Sequence, residues 1–347
     1  MAPAFADLAV PLDTPPMEAK LTEAIPSGEG WQFEPKWDGF RCLAFRDGDT
    51  VELMSKSGKP LGRYFPEIVA ALLGLQQRRF VLDGELVLPV GEVLSFEALQ
   101  LRLHPAASRI EKLSRETPAQ LILFDCLQLG AKDLAGRPLT QRREALEAFM
   151  AKAATPHLLL SPSTTERRVA ERWFAGSGGA LDGIIAKRRD GPYQSGERAM
   201  IKVKQQRTAD CVVGGYRMSG EKVGSLLLGL YDAEGRLNSV GFTSSFSDAA
   251  RAELLAVLEP LRGSSAFTGT SPGGPSRWSR GRSTEWVSLR PELVVEVIYD
   301  QVTGQRFRHG TTFLRWRPDK AADRCTMEQL EHALRPAALA EFLEPAD

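Results

Sequence analysis

The stretch EPKWDGFR, residues 34–41, sets a lysine between a proline and a tryptophan and follows it with an acid, a glycine, an aromatic and an arginine. A cation (Lys36), an anion (Asp38) and a second cation (Arg41) around a glycine suit an exposed hairpin shoulder as well as a lysine with chemistry to do. Company shifts the balance. LDGE (82–85) puts two acids around a glycine, and LDGIIAK (181–187) repeats the acid–glycine pair at Asp182 before an apolar strand ending in Lys187. IKVK (201–204) alternates charge with apolar residues, so Lys202 and Lys204 share one strand face. RWRPDK (315–320) crowds Arg317, Asp319 and Lys320 near the C-terminus. Two ammonium groups on one strand face repel unless an anion lies between them; the bland alternative is a solvated edge. Glu85 and Asp182 each neighbour a glycine that permits close approach, and they fit a divalent metal or a ribose hydroxyl equally well.

The elements that must position these residues follow from pattern. RCLAFRD and TVELMSK flank a DGD turn and read as a hairpin directly after Lys36. RFVLDGELVLP, LILFDCLQL, HLLLSP, LDGIIAKR and MIKVKQ read as strands. PEIVAALLGL, LSFEALQLRL, ERRVAERWF and TQRREALEAFMAKA read as helices, the last with Thr140 as N-cap. Irregular spacing and charged strand ends favour a mixed α+β core over a regular parallel sheet. The proline-rich first thirty residues are expected to lie as an arm over the surface.

After Gln205 the character changes to short strands with glycine-rich turns and one helix, DAARAELLAVLEPLR. That is the pattern of a small Greek-key barrel such as an OB-fold. The expected division is 1–205 and 206–347, the second part ending in a helical tail, with a Ser/Gly/Pro/Arg loop over SSAFTGTSPGGPSRWSRGRS.

Composition bounds the class. The 347 residues are 43% hydrophobic, 25% charged and 8% aromatic, enough for sizeable cores in two domains. The 44 basic and 44 acidic residues cancel, so a nucleic-acid partner would have to meet charge gathered on one face. Four cysteines far apart, with no C-x-x-C, argue against a disulfide framework or thiolate zinc site and favour a reducing cytoplasm. No run approaches the apolar length of a membrane span, so no membrane partner is expected.

KWDGFR, LDGE, LFDCL, LDGIIAK, IKVK and RWRPDK, in this order and at these intervals, resemble motifs I, III, IIIa, IV, V and VI of the covalent nucleotidyltransferases: the ATP-dependent DNA ligases, RNA ligases and capping enzymes. EPKWDGFR, GRYFPE, RHG and FLRWRPDK resemble in particular the compact bacterial group called DNA ligase C. The resemblance runs from about residue 16 to 320. It implies a nucleotidyltransferase core followed by an OB-fold, and sealing of nicked duplex DNA with ATP and Mg2+ or Mn2+, in repair or recombination, by a monomer that other repair proteins could assist.

On that resemblance Lys36 attacks the α-phosphorus of ATP and becomes a lysyl-adenylate. A free lysine is well under ~1% neutral at pH 7, so neighbouring cations and a metal must favour the amine. Lys202 and Lys204 neutralise the α-phosphate, while Asp38 and Arg41 orient the nick ends and the nucleotide sugar. Glu85 holds the ribose, Phe124 stacks on adenine, and Glu34 and Lys187 complete the nucleotide site. Asp182 stands where the family carries a metal-binding glutamate and, with Glu85, is the candidate metal ligand. Arg317, Asp319 and Lys320 grip the outer phosphates from a second domain that swings onto the nucleotide and away again. Lys56 replaces an arginine that contacts the 5′-phosphate, and Glu18 replaces a common leucine. With 35 residues before Lys36, the helical DNA-binding domain of larger ligases is expected to be missing. DNA contacts then fall to RFRHGTTFLRWR and to Arg277, Arg280 and Arg282. The alternatives are an RNA ligase or capping enzyme, and, more distantly, a non-catalytic OB-fold protein that merely holds nucleic acid. An NAD-dependent ligase is disfavoured for want of an upstream nucleotide-capturing domain and a zinc module.

Overall fold

The computed structural model describes residues 5–91, 93–153, 155–177, 181–264, 266–273 and 285–331. Arg277, Arg280 and Arg282, and the expected C-terminal helical tail, lie outside the described residues. The chain divides after Gln205 into two compact units.

The first unit holds strands β1 (Ala19–Thr22), β2 (Trp31–Trp37), β3 (Phe40–Asp47), β4 (Thr50–Ser55), β5 (Arg79–Val87), β6 (Gln120–Leu129), β7 (Leu158–Leu160), β8 (Leu181–Arg188) and β9 (Met200–Val203). Its main helices are α1 (Pro66–Leu73), α2 (Phe96–Leu101), α3 (Ala107–Glu116), α4 (Leu139–Met150) and α5 (Arg167–Ala175). One sheet runs β1-β9-β8-β2 and the other β7-β6-β5-β3-β4; all pairs are antiparallel except β1 with β9 and β7 with β6.

Alternation explains the layering. On β3, Cys42 and Ala44 join a core with Phe65, Ile68 and Leu146 of the helical layer, while Leu43 and Phe45 face the other way and pack with Val81, Leu127 and Met200. The same period sends Leu121 and Leu123 of β6 to the helical side and Ile122 and Phe124 to Phe33, Ile184 and Val203 of the first sheet. The second sheet is covered on both faces, which is why its strands read as near-continuous apolar runs.

Two expectations are corrected here. The N-terminal segment is no surface arm: residues 19–22 pair with β9, and Val10 and Met17 are buried against Leu43 and Phe45. Apolar side chains at intervals among the prolines give it a place in the core. Thr140 does not cap α4, which starts at Leu139 with no side-chain cap. The N–H groups of Leu139 and Thr140 donate instead to the carbonyls of Gly191 (3.0 Å) and Arg189 (3.2 Å), so a neighbouring loop satisfies the helix start.

The second unit contains β10 (Arg207–Ser219), β11 (Lys222–Tyr231), β12 (Leu237–Thr243), α6 (Asp248–Leu258), β13 (Val294–Tyr299) and β14 (Thr312–Trp316). Its sheet runs β12-β11-β10-β13-β14, and a parallel bridge from Thr243 to Thr311 links the two ends of that path. Five strands closed in this order, with the helix between the third and fourth, make an OB-fold barrel. Phe267, within the expected loop, is buried in the barrel core. No described helix is long and apolar enough to cross a membrane.

Candidate active site

The first unit carries a cleft lined by residues 16–19 and 34–37, Arg41, Lys56, Glu85, Phe124, Ile185, Lys187, Met200 and Lys202. Strand register builds one wall. Phe33 and Trp37 of β2 face the core, so Glu34 and Lys36 face the cleft. Glu34 pairs with Ile185 of β8, and Ile185 with Lys202 of β9, so the three occupy one rung of the sheet.

Lys36 is opposite Gly183, and the register between β8 and β2 shifts between Leu181 and Gly183. That irregularity at Asp182 depends on the glycine. Gly183 has φ +138°, and a Cβ on it would lie 2.0 Å from the Val203 carbonyl oxygen. The consequence is chemical: Asp182 Oδ2 lies 2.5 Å from Lys36 Nζ and 2.9 Å from Lys204 Nζ. Burial works against ionisation of Asp182, but Lys36 and Lys204 outweigh it and hold its carboxyl below the usual range. Burial, then the charges of Lys36, Lys204 and Lys56, push Lys202 below the usual lysine value.

The opposite wall comes from the second sheet. Arg41 donates two 2.6 Å hydrogen bonds to Asp83, which is fully buried, and a third at 3.2 Å to the Met17 carbonyl. Tyr193 donates to the same carboxylate at 2.7 Å and accepts from the Met17 N–H at 2.9 Å. Arg41 lies 4.7 Å from the Phe124 ring centroid and Lys187 4.6 Å, so two cations contact that ring. Lys187 is paired with Glu34 at 2.8 Å, and Gln32 donates to Glu34 at 2.8 Å. Phe124 is therefore cleft wall as well as core.

Glu85 accepts a 3.2 Å hydrogen bond from the Gly39 N–H. Burial pushes its carboxyl up to about 7, with Asp38 adding to the rise and Lys36 and Arg41 opposing it. Lys56, at the rim, is paired with Glu18 at 3.0 Å.

The structure thus gathers Glu34, Lys36, Arg41, Lys56, Glu85, Phe124, Lys187 and Lys202 on one cleft, with Asp182 pairing both Lys36 and Lys204. Asp38 follows β2 and acts on Glu85. Arg317, Asp319 and Lys320 cluster in the second unit, where Arg317 bonds Asp319 and both Arg317 (2.8 Å) and Lys320 (3.5 Å) pair with Asp210. Among the described residues no group of three or more His, Cys, Asp and Glu side chains is gathered for a metal.

Sequence reasoning assigned no role to Asp83, Tyr193 or Gln32. Asp83 had a signal: it lies two residues from Glu85 on one strand, hence on the same face. Gln32 had the same signal, two residues from Glu34 on β2, and Tyr193 had none.

Comparison with known proteins accords with this geometry. Residues 16–204 match the ATP dependent DNA ligase domain and residues 219–320 the ATP dependent DNA ligase C terminal region. The chain is 50% identical over 343 residues to DNA ligase C2 of Mycolicibacterium smegmatis, covering 94% of this chain and 96% of the relative. It is 46% identical over 338 residues to DNA ligase C of Mycobacterium tuberculosis, covering 92% and 94%. A solved structure from a study of Lig E DNA ligases shares the fold at a TM-score of 0.55, with 18% identity over 87% of this chain and 99% of that one.

Proposed function

Because the chain belongs to the ATP-dependent DNA ligases, we propose that it seals nicks in duplex DNA with Lys36 as the nucleophile. One observation carries this reading: the Lys36 amine lies in a cleft lined by Phe124 and Ile185 as well as by Lys56, Lys187 and Lys202, held by a carboxylate it must leave in order to react.

The slot between Phe124 and Ile185 suits the two faces of a purine. Glu34, fixed by Lys187 and Gln32, is an acceptor that suits the 6-amino group of adenine and repels the 6-oxo group of guanine. Glu85 accepts from the ribose hydroxyls. The α-phosphate then falls beside Lys36, where Lys202 and Lys204 offset the charge that develops. The Lys36 ammonium first gives a proton to solvent, its neutral amine forms a bond to the α-phosphorus as the bond to pyrophosphate breaks, and the nitrogen then releases a second proton to solvent. AMP passes to the 5′-phosphate of a nick, and the 3′-hydroxyl displaces it. Arg317, Asp319 and Lys320 carry the outer-phosphate role on their motif match. Lys56 meets the 5′-phosphate, and Arg277, Arg280 and Arg282 contact DNA.

Mg2+ or Mn2+ fits the donor chemistry of Asp182 and Glu85, because such ions take one or two carboxylates and complete their shell with phosphate oxygens and water. When bound it would screen phosphate charge and draw on the carboxylate that otherwise holds Lys36. A monomer acting in repair completes the reading.

The test uses labelled ATP and a divalent metal, followed by denaturation. Label is expected on the wild-type chain and none on Lys36→Ala. An unlabelled wild type, or a labelled Lys36→Ala, overturns the assignment.

A further inference from the structure

Strand β2 carries Lys36 at the edge of its sheet, with β8 paired along one side only. The chain just after β7 runs along the other side. There the Phe33 N–H donates to the Thr164 carbonyl at 2.8 Å and the Thr164 N–H to the Phe33 carbonyl at 3.0 Å, which holds the start of the strand. Its end is held by a side chain: the indole N–H of Trp37 donates to Ser161 Oγ at 2.9 Å, and both residues are buried. Between those two points lie Glu34, Pro35, which has no N–H to give, and Lys36, where the pairing with β8 is already irregular. Ser161 is itself anchored to the other wall of the cleft. Its N–H donates to the Leu123 carbonyl at 2.8 Å, beside Phe124, and its carbonyl accepts from Arg143 of α4 at 2.8 Å. One residue thus ties the neighbour of Lys36 to the neighbour of Phe124.

We propose that Ser161 is a positioning residue: through the Trp37 indole it sets where the Lys36 amine stands in the cleft. The inference rests on the ligase reading above and deepens it. Its physical basis is alternation. Lys36 and Trp37 are consecutive on one strand, so their side chains leave opposite faces, and a backbone twist that moves the ring moves the lysine with it. A tryptophan held by packing alone has room to tilt. One whose buried N–H is bonded to a fixed acceptor does not, because tilting orphans the donor. The Ser161 hydroxyl is free to accept, since its own proton points to the Pro162 carbonyl at 3.5 Å. Tolerance at a nucleophile is small: a misplacement of about 1 Å costs about a hundredfold in rate.

The test is single-turnover formation of lysyl-adenylate across a range of ATP concentrations. Ser161→Ala keeps both backbone bonds of that residue, so the wall beside Phe124 stays in place and only the hold on Trp37 is lost. The rate at saturating ATP should fall about tenfold, as a shift of roughly half an ångström would give, with the half-saturating concentration within about twofold of wild type. In a Trp37→Phe background, where the indole N–H is already gone, Ser161→Ala should lower the rate no further. Trp37→Phe leaves no donor orphaned in the core, so it reads the same bond should Ser161→Ala fail to fold, and by itself it should lower the saturated rate. An unchanged saturated rate in whichever variant folds overturns the proposal. So does a loss carried by the half-saturating concentration, or one that Ser161→Ala adds undiminished to Trp37→Phe. A wild type that forms no adenylate sinks the ligase reading and this inference with it. A wild type that reacts normally beside indifferent variants sinks this inference alone.

Discussion

Glu85 offers a way to test the cleft without nucleotide. Its carboxyl stands at about 7 against an ordinary 4.5, chiefly because burial disfavours the charged form. At 1.36 kcal/mol for each tenfold step in acidity, that difference corresponds to about 3.4 kcal/mol of cost when the group is ionised. Water still reaches a half-buried side chain, so about 1–2 kcal/mol is the expected share. The sign follows from proton uptake. Between pH 4.5 and 7 the folded chain holds this proton more tightly than the unfolded chain, so stability falls as pH rises through that window. Glu85→Gln does not titrate, is nearly isosteric, and keeps an acceptor for the Gly39 N–H. The variant should therefore melt at the same temperature as wild type near pH 4.5, and roughly 3–6 °C higher above pH 7.5 for a unit of this size. It should form little lysyl-adenylate, the exchange of stability for activity expected where a site needs a buried charge. Paired calorimetric melts from pH 4.5 to 8.5 read the difference, in which the other titrating groups cancel. An advantage already complete at pH 4.5, or one that shrinks toward pH 8, refutes the reasoning.

Two further substitutions probe the scaffold. Tyr193→Phe removes the hydroxyl that bonds Asp83 and the Met17 N–H. The KM for ATP in adenylate formation should rise about tenfold, the worth of a buried hydrogen bond to a charged partner, with kcat within about twofold. An unchanged KM would show that residues 16–19 are positioned without it. Gly183→Ala would place a Cβ 2.0 Å from the Val203 carbonyl oxygen at φ +138°. A loss of about 2–4 kcal/mol in denaturant unfolding of the first unit is expected, with adenylation abolished; near-wild-type unfolding would contradict the role given to that bulge.

What the sequence made legible is what periodicity and local spacing encode. Lys202 and Lys204 fall on one face because strands alternate, and the OB-fold follows from short strands with one inserted helix. Pairing across the chain is different. Asp83 finds Arg41 across 42 positions and Tyr193 across 110. No local pattern marks such partners, since an acid between apolar residues reads alike whether it meets an arginine or water. The N-terminal segment was misread for a related reason. Its prolines signal irregular backbone, whereas its burial depends on Val10 and Met17 reaching a surface made by strands much later in the chain. The start of α4 escaped because its acceptors come from Arg189 and Gly191 rather than from a capping side chain.

The ion pairs of the cleft sort by burial into two kinds, and the sorting accounts for how one site can be both rigid and reactive. Lys187 with Glu34 is deeply buried, and Arg41, about a fifth exposed, is bound through two hydrogen bonds to the fully buried Asp83; both cations contact the Phe124 ring. Removing one member of such a pair leaves a charge uncompensated, at about 3–5 kcal/mol. No substrate binding step supplies that lightly, so these pairs belong to the frame of the cleft. Lys56 with Glu18 is exposed and held by about 1 kcal/mol or less, so it adds little rigidity. Lys36, Asp182 and Lys204 stand between the two cases. The aspartate is buried, while both lysines keep about a fifth of their side-chain surface in water. The carboxylate holds Lys36, the proposed nucleophile, in place, and Lys202 beside it is depressed first by burial and then by the neighbouring lysines. An α-phosphate entering there relieves repulsion among the lysines as it competes for the hold of Asp182 on Lys36. Binding of the anion and release of the amine are then one electrostatic event.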